Sequence, residues 1–111
     1  MDDLNALATA QLGAARAASN GRSAKLIVHD GVLRQSVIAL VAGTELGEHA
    51  SPPAASLFVM QGRVRVTGFD EPVLATGEIS VLTHQRHAVL ALEDSVFLLT
   101  TVTSVPTADG A

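Results

Sequence analysis

Two histidines stand at positions where this chain could hold a ligand or a metal ion. His49 follows Gly43 by six residues and precedes Ser51 by two, whereas His87 comes ten residues after Gly77. Imidazole nitrogens bind transition metals, and they also donate and accept hydrogen bonds. A neutral hydroxyl such as that of Ser51 is a poor metal ligand. These residues therefore allow either a metal centre or a semi-polar pocket in which the imidazoles are held by hydrogen bonds.

Short extended segments must position these side chains. Glycines and prolines separate them, which predicts an all-β barrel or sandwich. The predicted strands cover Lys25–His29, Val32–Leu40, Glu45–His49, Ser56–Gln61, Arg63–Thr67, Val73–Ala75, Ile79–Leu82, His87–Leu92 and Ser95–Thr103. Asp30 and Gly31 form a turn pair for a two-residue hairpin.

Alternate residues of a strand face the same side, so an inward His49 predicts an inward Ser51. The predicted ligand pocket consists of His49, Ser51, Leu57, Val59, Gln61, Arg86, His87 and Val89. Arg86 could receive an anionic group by a bidentate contact. Three other arginines, Arg34, Arg63 and Arg65, alternate with apolar residues, which indicates outward-facing positions.

The chain is organised as one domain in three parts. A helix and linker are predicted for residues 1–22, because leucines and alanines recur at helical spacing after two aspartates that can cap the helix. Residues 23–104 predict the barrel, and residues 105–111 a polar, flexible tail. This helix could lie on its own barrel or against a partner subunit.

Composition excludes several classes of protein. The net charge is −4 and Lys25 is the one lysine, so no basic stripe is available to neutralise nucleic-acid phosphates. There is no cysteine, and no apolar run reaches the roughly 20 residues that span a bilayer. The start, Met1-Asp2-Asp3, lacks the basic region of a secretory signal. We expect a cytoplasmic protein that binds neither nucleic acid nor membrane.

From Ser23 to Thr103 the chain resembles small single-domain bacterial cupins. The matching positions hold Gly43, His49, Ser51, Ala55 and Gly62 in the first motif and Gly77, His87 and Ala91 in the second. The resemblance implies a double-stranded β-helix, or jelly-roll barrel, and a homodimer. In family members that bind metal it implies three histidines and one carboxylate, a set that suits iron, manganese, zinc or nickel. Here serine and alanine replace two of those ligands, so the metal-binding motifs are degenerate.

Three functions remain open from the sequence. The first is a cupin that binds a small molecule, such as an anion, in its barrel without robust catalysis. The second is a metal-dependent enzyme of the dioxygenase or isomerase type that uses His49 and His87. The third is a structural or interaction module with a solid aliphatic barrel. These residues are compatible with an enzyme as well as with a binding protein, and they name no particular ligand.

Overall fold

The computed structural model describes residues 2–49, 54–68, 71–82 and 87–103. These ranges contain one helix, α1 (Leu4–Ala17), followed by strands only. The strands are β1 (Arg22–Asp30), β2 (Leu33–Leu40), β3 (Glu45–His49), β4 (Ala54–Gln61), β5 (Arg63–Thr67), β6 (Val73–Ala75), β7 (Ile79–Val81), β8 (His87–Ala91) and β9 (Ser95–Val102). The predicted tail, residues 105–111, lies outside the described residues.

The strands form two antiparallel sheets with the main core between them. The five-stranded sheet has the order β1-β2-β9-β4-β7, and the four-stranded sheet has the order β3-β8-β5-β6. Both sheets contribute apolar side chains, which cluster as Ile38, Leu40, Leu57, Val59, Val64, Val66, Leu74, Val89, Ala91 and Phe97. The predicted all-β fold, a barrel preceded by a short helix, is confirmed.

Helix α1 covers the outer face of its own five-stranded sheet. Its start is capped by Asp3, whose carboxylate accepts hydrogen bonds from the backbone N–H groups of Asn5 at 3.0 Å and Ala6 at 3.3 Å. The apolar stripe of the helix then packs on β2 and β9 in a second cluster of Ala8, Leu12, Ala15, Val37, Ala39 and Val96. Of the two placements that the sequence leaves open, the structure has the helix on its own barrel. In the part of the chain described here, no helix is both long and apolar enough to cross a membrane.

The β1–β2 hairpin turns one residue later than the sequence predicts. Asp30 pairs with Leu33, so Gly31 and Val32 are the two turn residues. Gly31 has a φ of 56°, in the left-handed region that glycine enters without steric cost. The backbone of a hairpin turn with glycine at its first central position matches the right-handed twist of the flanking strands. Asp30 is therefore the last paired residue of β1 and not a turn residue.

Candidate functional site

One end of the barrel, called the mouth below, brings both histidines together. The mouth is the end at which β3 finishes at His49, β4 begins at Ala54, β7 finishes at Val81 and β8 begins at His87. These ends are adjacent because β3 pairs with β8 in one sheet and β4 pairs with β7 in the other. The β1–β2 hairpin turn and the end of β9 lie at the same end of the five-stranded sheet.

A bulge in β3 places His49 opposite His87. Leu46 pairs with Val89, and the register then shifts, so that His49 pairs with His87 and not with position 86. An extra residue in one strand displaces every later partner by one. His87 itself is half-buried and shares the face of β8 that carries Val89 and Ala91 into the core.

Arg34 lies at the mouth on the inward side of the five-stranded sheet. It shares a face of β2 with Ile38, which is part of the main core, and it pairs with Thr101, which pairs in turn with Ala55. The alternation of arginines with apolar residues predicts an outward Arg34, and for this arginine that prediction is wrong. Its even spacing from Ile38 and Leu40 was the available signal, because residues an even number apart share a face.

Arg34 is half-buried, and backbone carbonyls hold its guanidinium. Its Nη1 donates to the carbonyl of Gly31 at 2.5 Å and to that of Leu33 at 3.0 Å. Within the described ranges no carboxylate lies within ion-pair distance of Arg34, whereas Arg16 and Arg63 each have one. Arg34 therefore brings a positive charge to the mouth without an ion-pair partner among the described residues.

Below the mouth the barrel is filled with aliphatic side chains. Leu57 and Val59 are completely buried and Val89 is nearly so, all three in the main core. These predicted pocket residues can therefore form only the floor of a site. Gln61, predicted on the same inward side, is exposed, because a bulge between Val59 and Gln61 interrupts the alternation.

Two predicted site residues, Ser51 and Arg86, lie outside the described residues. His49 is described through its place in β3 and its pairing with His87. The structure thus brings His49 and His87 to one end of the barrel and adds Arg34 and Thr101 to that end.

The residues present do not fit a metal centre of three histidines and one carboxylate. The family position for the carboxylate holds Ala55, whose side chain has no donor atom. Among the described residues no three histidines or acidic residues come close enough to hold a metal ion. Transition-metal sites built from imidazole and carboxylate need more ligands than one pair of histidines.

Comparisons with known proteins identify the fold. No protein-family model matches the chain, and no curated protein matches its sequence. A cupin superfamily protein from Desulfitobacterium hafniense superimposes with a TM-score of 0.69 at 14% identity, covering 75% of this chain and 78% of that one. The chain has the cupin fold. The two sheets described above are the two sides of the cupin barrel.

Two further structures show how little the fold says about activity. A conserved protein of unknown function from Streptococcus pyogenes is 26% identical to this chain, with a TM-score of 0.67 and 79% of each chain covered. Salicylate 1,2-dioxygenase from Pseudoaminobacter salicylatoxidans, solved with gentisate, has a TM-score of 0.75 at 16% identity. The match covers 87% of this chain and 32% of the dioxygenase. Folds similar to that of this chain therefore occur both in an enzyme and in a protein of unknown function.

Proposed function

We propose that this cupin binds a small anionic molecule at the mouth of its barrel and has no robust catalytic activity of its own. The observation that carries this proposal is the change from apolar to polar side chains along the inner face of the five-stranded sheet. Ile38 and Phe97 form an apolar row, whereas the row at the mouth contains Arg34 and Thr101. His87 begins β8 at the same end.

An apolar floor with a polar rim suits a ligand that has an apolar body and a charged head. Binding sites commonly combine an apolar lining with a few polar groups that fix the orientation of the ligand. Leu57 and Val89 supply such a floor, and the guanidinium of Arg34, held by two backbone carbonyls, supplies a fixed positive charge. Because the floor is tightly packed, the ligand is small and lies near the mouth.

The alternative is a metal-dependent enzyme of the dioxygenase or isomerase type. The pairing of His49 with His87 favours it, since two histidines occupy opposite positions of neighbouring strands at the mouth. Such an enzyme would need further ligands, for which Ser51 is a weak candidate and Ala55 is none. We therefore place binding before metal catalysis.

A ligand screen and a metal analysis together test the proposal. Nitrogen-15 labelled protein is titrated with a set of small anions and their neutral analogues. We expect amide shifts at His87, Val89 and Thr101 for anions. If no compound moves these signals, the binding proposal fails.

The metal analysis uses untagged protein purified without chelator, beside a His49→Ala/His87→Ala variant. Both are loaded with iron, zinc, manganese or nickel and measured by plasma mass spectrometry. Protein concentration comes from amino-acid analysis, because the chain has no Trp and no Tyr. Near-stoichiometric metal in the parent that is lost in the variant would favour the enzyme. No metal in either would retire the enzyme hypothesis.

We also propose that two copies of the chain associate through the outer face of β4 and β7. Ile79 and Val81 are 64% and 78% exposed on β7, an edge strand, and they pair with Phe58 and Ser56 of β4. An open groove of about 250 Å³ lies beside them, lined by Ala54, Ala55, Ser56, Val81, Thr100 and Val102.

The lack of charge in this groove supports a second copy as the occupant. None of the lining residues is charged, although the chain as a whole carries −4. Two copies can meet there without placing like charges opposite each other. Covering exposed apolar side chains on an edge strand also lowers the free energy of the two copies, because apolar surface is removed from water.

A further inference from the structure

We infer that Arg34 anchors the ligand of the proposed site and that the anchored group is a carboxylate carrying a single negative charge. This inference rests on the proposed function and deepens it. Arg34 is half-buried at the mouth, on the inward face that its register with Thr101 establishes.

The hydrogen bonds of Arg34 determine which edge of its guanidinium is available. Nη1 is engaged by the carbonyls of Gly31 and Leu33. The opposite edge, formed by Nε and Nη2, has no hydrogen-bond acceptor within the described residues. On that edge two parallel N–H groups point the same way, and their spacing matches the two oxygens of a carboxylate. Arg16 uses the same edge in this chain, donating from Nε and Nη2 to one carboxylate oxygen of Asp94.

The two carbonyls also prepare the guanidinium for binding. They hold it at the mouth before the ligand arrives, so less side-chain entropy is lost when the ligand binds. A single guanidinium neutralises one negative charge, and a chain with a net charge of −4 repels dianions more strongly than monoanions. Both considerations favour a monocarboxylate over a phosphate dianion.

The residues around Arg34 define the rest of the ligand. Thr101 and Ser36 share the inward face and provide hydroxyl groups, whereas Leu99 and Ile38 extend the apolar floor. Hydroxyl groups beside an arginine complete the hydrogen bonding of a carboxylate. The predicted ligand is a monocarboxylate with a short apolar body.

The experiment compares charged and neutral probes of the same shape. Butyrate, isovalerate and benzoate are each titrated beside the corresponding amide into labelled protein, and dissociation constants are taken from the amide shifts. The variants are Arg34→Gln, Arg34→Lys and, as a matched control, Arg65→Gln. Arg65 is half-buried as well, but it alternates with the core residues Val64 and Val66 and so faces outward from the other sheet.

In the parent we expect each carboxylate that binds to bind about tenfold to a hundredfold more tightly than its amide, the effect of a hydrogen-bonded charge pair. Arg34→Gln reduces carboxylate affinity to that of the amide and leaves the amide unchanged. Arg34→Lys restores part of the preference, because an ammonium gives charge without the planar fork. Arg65→Gln behaves as the parent does.

The outcomes separate this inference from the proposed function. If carboxylates and amides bind the parent equally, or if Arg34→Gln keeps the preference while its spectrum stays folded, binding stands and the role of Arg34 is overturned. If neither class of probe shifts any signal at the mouth, the proposed function fails together with the inference. If the spectrum of Arg34→Gln loses its dispersion, that variant is unfolded. The role of Arg34 is then judged from the ratio of carboxylate to amide affinity in the parent and from the affinities of Arg34→Lys.

Discussion

Arg16 donates two hydrogen bonds to a single carboxylate oxygen of Asp94, from Nε at 3.1 Å and from Nη2 at 2.9 Å. The other carboxylate oxygen accepts the backbone N–H of Ala42 at 2.9 Å. Asp94 therefore joins three segments: the last turn of α1, the connection after β2 and the turn between β8 and β9. These contacts lie at the end of the barrel opposite the mouth, so changes to them test stability separately from binding.

The pH dependence of stability should report on Asp94. The N–H of Ala42, followed by the hydrogen bond from Arg16, lowers the pKa of Asp94 in the folded protein. A lowered folded pKa means that the stabilisation is complete above the unfolded value and is lost as the pH falls through the folded value. We expect the urea midpoint of the parent to exceed that of Asp94→Asn at about pH 6, and the difference to shrink as the pH falls below the unfolded value of about 3.9.

Far-UV circular dichroism measures these midpoints, because the chain has no Trp or Tyr for fluorescence. Asp30→Asn, which removes an exposed acid in the β1–β2 hairpin, serves as the control and should follow the parent. A difference between the parent and Asp94→Asn that stays constant over this range would contradict the assignment.

Gly62→Ala should destabilise the barrel more than Gly77→Ala does. Both glycines have a positive φ, 91° and 87° respectively, so a side chain at either is strained. At Gly62 an added Cβ would also lie 2.5 Å from the carbonyl oxygen of Asp94 and 2.8 Å from the Cα of Ser95, whereas at Gly77 it meets nothing within 4 Å.

We expect a loss of about 1–2 kcal/mol in the free energy of unfolding for Gly77→Ala, from backbone strain alone. Gly62→Ala should lose about 3 kcal/mol or more, because backbone atoms must also move. Urea denaturation of both variants gives the comparison. Equal losses would show that the close approach at Gly62 is relieved without cost.

Ile79→Lys should dissociate the proposed homodimer. A charge in the middle of an apolar contact must be desolvated, and the two symmetry-related lysines repel each other. By light scattering with refractive-index detection we expect the parent to have about twice the 11.4 kDa mass of one chain and the variant to approach a single chain.

Val73→Lys is the matched control for that experiment. Val73 is also an apolar residue on an edge strand, 43% exposed, but it belongs to β6 in the other sheet. It should leave the mass of the parent unchanged. A monomeric parent at micromolar concentration, or a dimer that survives Ile79→Lys, would refute the interface.

The sequence predicts the strands well because their signals are local. Glu45–His49, Arg63–Thr67 and Val73–Ala75 have the predicted bounds, since a glycine or proline lies within three residues of each end of these segments. The pocket is harder to predict, because a bulge changes which residues share a face. Alternation counted along β4 puts Gln61 inward, and the bulge after Val59 leaves it exposed. Ser51 and Arg86 remain predictions.

Local sequence patterns alone predict an all-β barrel with one helix at its start and two histidines near the ends of strands. Apolar alternation and glycine positions act over a few residues, so they can be found without knowing the fold. The tertiary structure decided that α1 covers its own sheet, that His49 pairs with His87 and that Arg34 faces inward at the mouth. Each of these depends on register between strands distant in sequence, and register is set by packing across the whole barrel.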